Sequence, residues 1–143
     1  MDISDDIDQV RALVRSLRRV AVLGIKTEKQ RGQPAFDVAA SLQKQGVAIV
    51  PVPVYYPEVT EILGERVYRS VAAIDGPIDC VDVFRRPDDI PPHIDDILAK
   101  RPRSVWFQQG IRNDEAAARL SAAGIVVVQD RCLMVDFALY GRN

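Results

Sequence analysis

Histidine, cysteine and net charge are all scarce in this chain, and each scarcity excludes a class of function. One histidine, His93, and two cysteines, Cys80 and Cys132, occur among 143 residues. Two thiols make no disulfide scaffold in a chain of this size. A zinc site built from cysteine and histidine needs nearly all three, and their spacing fits no compact motif, so no metal site is expected. The formal net charge is −1, which gives the surface as a whole no attraction for nucleic acid. No apolar run approaches the roughly 20 residues that span a bilayer. The opening residues, Met1-Asp2-Ile3-Ser4-Asp5-Asp6, are acidic and lack the basic start and apolar core of a signal peptide. The expectation is a cytoplasmic protein that touches neither membrane nor nucleic acid.

What is present is an ordinary globular balance: 48% hydrophobic and 27% charged residues, without repeats or linkers. One domain spanning residues 1–143 follows. Ile7, Val10, Leu13, Val14 and Leu17 recur at helical spacing, with Ser4 as the expected cap. Short β-branched runs read as buried strands at Arg19 to Leu23, Val47 to Val52, Asp79 to Phe84, Ser104 to Phe107 and Ile125 to Val128. Helices are expected from Pro34 to Gly46, from Pro91 or Pro92 through Leu98, and from Asn113 to Gly124. A short helical stretch is expected at Val71 to Ile74, and a docked helical tail at Leu133 to Tyr140. Alternating strands and helices predict a Rossmann-like, doubly wound, parallel five-stranded sheet in three α/β/α layers, with strand order 3-2-1-4-5.

Ligands of such sheets bind beyond the carboxyl ends of the strands. The first strand ends at Gly24, and Lys26, Thr27, Lys29 and Arg31 lie in the loop before the next helix. A helix N-terminus and mobile cations there suit a phosphate, although a solvated basic loop reads the same way. The loop lacks the Gly-x-Gly-x-x-Gly fingerprint. NAD sites place a carboxylate after strand two, where this chain reads Pro51-Val52-Pro53-Val54. An NAD(H)-binding redox sensor or dehydrogenase-like fragment is therefore the second choice. Arg85-Arg86 follow strand three and match phosphate oxygens in geometry. Phe84 stands before them, either against an adenine ring or in the core. Gln109, Gly110 and Ile111 end strand four, where Gly110 permits a ligand's close approach or simply a left-handed turn. Val54, Tyr55 and Tyr56 offer either a homodimer contact or a lid.

No nucleophile, base and orienting group come together in the sequence, so no catalytic residue is expected. His93 is expected to be exposed at a helix start. Asp82, between Val81 and Val83, is expected to bond a neighbouring loop or face water. Cys80 is expected to be a small buried hydrophobe. Cys132 follows Arg131; it is expected either to pack in the core or to approach a thiol ligand as a transient disulfide partner.

The stretches Val20 to Gly24, Ile49 to Val52, Ile62 to Tyr68, Val81 to Pro87, Val105 to Ile111 and Asp130 to Cys132 together resemble the small CoA-binding domain proteins, relatives of the CoA-binding domain of succinyl-CoA synthetase. The resemblance covers nearly the whole chain and implies coenzyme A, or a short acyl-CoA, as the ligand of a non-catalytic or regulatory module. It implies the diphosphate at Gly24, Lys26, Thr27 and Arg31. It implies the adenosine beside Val52, Phe84, Arg85 and Arg86, and the pantetheine arm at Gln109, Gly110 and Ile111, with Cys132 at its end. The chain departs from the family pattern at Pro53-Val54, at Ala35 and at Asp136-Phe137, which puts the adenosine contacts in doubt and removes any role of a family histidine.

Overall fold

The computed structural model describes residues 1–141. The five strands of the main sheet form from short, largely buried apolar runs, and a mostly exposed hairpin of two-residue strands accompanies them. The strands are β1 (Arg19–Leu23), β2 (Ala48–Val52), the two-residue pair β3 (Glu61–Ile62) and β4 (Glu65–Arg66), β5 (Cys80–Val83), β6 (Ser104–Phe107) and β7 (Val126–Val128). The helices are α1 (Ile7–Ser16), α2 (Pro34–Lys44), α3 (Pro91–Lys100), α4 (Asp114–Ala122) and α5 (Leu133–Tyr140). No helix among the described residues is long and apolar enough to cross a membrane.

The five main strands form one parallel sheet, as expected of a Rossmann-like α/β fold. Side-chain alternation sends Val20, Val22, Cys80, Trp106 and Val128 to one face, under α1, α2 and α5. Ala21, Leu23, Val81, Val83, Val105 and Phe107 line the other, under α3 and α4. The three layers are therefore as expected.

The strand order is β2-β1-β5-β6-β7, which is 2-1-3-4-5 when the five main strands are counted in chain order. The expected 3-2-1-4-5 misplaces the third main strand, which pairs directly with β1. Pro51 explains the difference. It lacks an N–H, and its carbonyl accepts from Tyr68 N on the side away from β1. A proline at the middle of a strand is tolerated only at a sheet edge. So β2 is an edge, covered by the β3–β4 hairpin. The Asp79 carboxylate accepts from the Arg18 and Arg19 N–H groups and seats the start of β5 beside β1. At the opposite edge, Ile3 N donates to Val127 O and Val127 N to Met1 O, which covers β7.

Three local expectations change. Asp6, not Ser4, caps α1 by accepting from Gln9 N; Ser4 Oγ instead accepts from Gln129 N. Val71 to Ile74 is a single turn rather than a helix: Asp96 accepts from the Val71 and Ala72 N–H groups as a cap would, but Asp75-Gly76-Pro77 ends the segment after one turn. Cys80 is fully buried as expected, whereas Asp82 neither bonds a loop nor faces water.

Candidate functional site

In a sheet of order 2-1-3-4-5 the crevice opens between the first and third main strands. Here that places the loop after β1 against the loop after β5. Gly24 N donates to Val52 O, and Phe84 N donates to Leu23 O at 2.8 Å, so the backbone is held on both sides. Gly24 has φ 88°, and a Cβ there would lie 2.3 Å from the Phe84 carbonyl oxygen. Only glycine allows the two strand ends to approach this closely.

Beyond Gly24 lies a cavity of about 370 Å³. Its floor and walls include Gly24, Lys26, Phe84, Arg85 and Arg86, with Gly110 and Ile111 from the loop after β6. Ala35, at the start of α2, also lines it. Gln33 O already accepts from Phe36 and Asp37 N–H, and Pro34 has no N–H to give. The Ala35 N–H is thus the donor that the α2 terminus offers to the cavity.

A second cavity of about 420 Å³ adjoins the first across Pro34, Phe84 and Ile111, which line both. Val38, Met134 and Val135 make much of its wall apolar, and Gln108, Gln109, Asp37 and Cys132 add polar groups. The Gln108 side chain accepts from Leu133 N and so anchors the start of α5.

The two arginines after β5 differ. Arg86 is exposed and its Nε donates to Asp89 at 2.8 Å. That bond draws the Asp89 carboxyl below its usual value. Arg85 is partly buried, and among the described residues no carboxylate lies within ion-pairing distance of it. Its guanidinium lies over the Tyr55 ring at 5.8 Å, and its Nε donates to His93 Nε2 at 3.2 Å. His93 is therefore half-buried rather than exposed. Burial, followed by the Arg85 charge, lowers its pKa from the usual histidine value.

Three residues expected at the site lie outside both cavities. Thr27 is buried; its Oγ1 donates to the Gln30 side chain and accepts from Lys29 N, capping a short 3-10 turn. Arg31 lies over the Phe36 ring at 5.1 Å. Val52 is buried under the sheet edge. Cys132 lines the second cavity and is half-buried rather than sealed in the core. Its neighbour Arg131 is taken by Asp136, to which Nε and Nη2 both donate. The residues missed by sequence reasoning, Gln33, Asp37, Met134 and His93, reach the site only through the packing of α2, α5 and α3. Among them only Gln33, next to the helix-starting Pro34, carried a local signal.

The sequence profile of the CoA binding domain family matches residues 18–138. The chain is 33% identical over 131 residues to the uncharacterized protein YneT of Bacillus subtilis (strain 168), covering 92% of this chain and 93% of that one. A solved structure from Thermus thermophilus, cell-free ID.343, superposes with a TM-score of 0.84 at 37% identity, over 93% of this chain and 97% of that one. A hypothetical protein from Pyrococcus horikoshii OT3 superposes with a TM-score of 0.81 at 27% identity, over 93% and 90%. With most of its length inside the family profile, the chain belongs to the CoA binding domain family.

Proposed function

We propose that the chain binds coenzyme A, or a short acyl-CoA, along the carboxyl edge of the sheet as a binding or regulatory module rather than a catalyst. One observation carries the reading: a cation without a carboxylate partner, Arg85, faces a cavity that continues into a largely apolar one. That sequence of surroundings suits a ligand with an anionic head and a long, uncharged arm. The diphosphate belongs near Gly24, Lys26 and the Ala35 N–H. The adenosine belongs between Tyr55, Phe84 and the arginines, and the pantetheine arm runs past Ile111 and Gln109 toward Cys132. Membership of the family supports the ligand class. The absence of a carboxylate in Pro51-Val52-Pro53-Val54 speaks against NAD(H). Among the described residues, the walls of the two cavities pair no nucleophile with a base, so the reading gives the module no reaction of its own.

Native mass spectrometry of the purified protein, followed by calorimetric titration, tests this. Retention or saturable binding of CoA, with NADH binding far weaker, is the expected result. Tight NADH binding without CoA binding overturns it.

A further inference from the structure

We propose that His93 is a positioning residue for the first cavity: its neutral imidazole holds the Arg85 guanidinium in line for an anionic ligand, and a proton on His93 releases that hold. The inference rests on reading the cavity as the head-group site of CoA.

The contact fixes the protonation state it requires. Arg85 Nε is a donor, so His93 Nε2 must accept, and the ring carries its proton on Nδ1. A guanidinium offers its donors as a rigid planar fork. Tying Nε to the imidazole sets the plane of that fork. The Tyr55 ring covers one face, and Nη1 stands 3.5 Å from the Tyr55 hydroxyl. Nη2 has no partner among the described residues and is left for a ligand oxygen. Tyr55 is itself held in place, because Arg69 donates to the carbonyls of Tyr55, Tyr56, Pro57 and Val59. Arg85 is thus aimed by an imidazole on one side and a fixed loop on the other. Arg86, the next residue, has no such support and spends its Nε on Asp89.

The charges around His93 come from three elements. Arg85 approaches from the end of β5. Asp96 lies one turn further along α3, with its carboxylate already accepting from Val71 and Ala72 N–H. Asp89 comes from the short turn before α3 and is paired with Arg86. Burial and the Arg85 charge favour the neutral ring, and the two aspartates only partly oppose them. A proton on Nε2 would set donor against donor and cation against cation at 3.2 Å. The bond then breaks and Arg85 loses its fixed orientation.

His93 is the only histidine in the chain, so its imidazole signals are unique in a nuclear magnetic resonance spectrum. At about pH 7.5 the spectrum should show Nε2 unprotonated, and Arg85→Gln should raise the histidine pKa toward its usual value of roughly 6.5. CoA affinity should fall between about pH 7.5 and pH 5 by at least about fivefold more in the unsubstituted protein than in His93→Gln, whose amide oxygen can accept the same bond without titrating. Comparing the two proteins at each pH cancels the ionisation of the ligand's own phosphate. A proton on Nε2 at neutral pH overturns the inference. So does CoA binding whose ratio between the two proteins stays constant across the pH range. Failure of the unsubstituted protein to bind CoA at either pH overturns the CoA reading and this inference with it.

Discussion

The two adjoining cavities are built from the same strand ends and differ in how they treat charge. In the first, Arg85 lacks a carboxylate partner and Gly24 lets the backbone come close. In the second, the nearby cation, Arg131, is neutralised by Asp136 at 2.6 Å, and apolar side chains dominate the wall. A protein that binds a single compact anion needs only the first. On the proposed reading the difference fits a ligand in two parts, with Phe84, which lines both cavities, where they join.

The comparison is broken most severely at Gly24. An alanine there adds a Cβ 2.3 Å from the Phe84 carbonyl at φ 88°, and hydrogen bonds from Gly24 and Phe84 prevent the backbone from giving way. Gly24→Ala should destabilise the fold by about 3 kcal/mol or more. Gly110→Ala, with open space around the added atom and φ 85°, should lose only about 1–2 kcal/mol from backbone strain. Urea denaturation of both variants measures the contrast. Similar losses would show that the two strand ends do not meet this closely.

Asp82 lies on β5 between Val22 of β1 and Trp106 of β6. Both its oxygens are buried without a partner, and burial raises its pKa well above 3.8. The folded chain therefore keeps a proton that the unfolded chain releases. Stability is fully present below about pH 4 and falls as pH rises toward the folded-state value, by about 1.4 kcal/mol for each pH unit. Asp82→Asn should lack this slope and gain on the unsubstituted protein between about pH 5 and pH 7. Denaturation at the two pH values decides it, and parallel stability curves would show that the carboxyl finds a partner.

Much of this organisation is readable without coordinates, and the parts that are not share a cause. The five main strands, the start of α2 at Pro34 and the cap at Asn113 depend on neighbours in sequence. Pro51 also carried the edge position of β2 in plain view, and giving it due weight corrects the strand order. That correction matters for function, because it moves Arg85 from the outside of the sheet to the central crevice. The Arg85–His93 bond and the orphaned carboxyl of Asp82 depend on how a turn and three strands pack. No residue pattern records them.

The two arginines sharpen the comparison within the first cavity. Arg85→Ala should weaken CoA about tenfold or more, as expected for a charged hydrogen bond. Arg86→Ala should have a smaller effect, because its side chain is exposed and already paired with Asp89. If Arg85 meets the ribose phosphate, its loss falls more heavily on CoA than on dephospho-CoA. Titration of both ligands into both variants reads this directly. Equal losses for the two ligands would assign Arg85 to the diphosphate instead.

The smallest effect probes the second cavity through its thiol. Cys132 is half-buried on the cavity wall, whereas Cys80 is sealed in the sheet, where burial also pushes its thiol pKa up. A small alkylating reagent should modify Cys132 and leave Cys80 intact in the folded protein, because only an accessible thiolate reacts. If the pantetheine arm occupies the cavity, a non-reactive acyl-CoA should slow that modification several-fold. Dephospho-CoA should slow it too at saturating concentration, because it carries the same arm. ADP, which on this reading fills only the head-group cavity, should leave the rate nearly unchanged. Intact-mass measurements over time, with Cys132→Ser as the control for site, separate these cases. Equal protection by ADP and the acyl-CoA would show that Cys132 responds to closure around the head group, and the division of the ligand between two cavities would then be wrong.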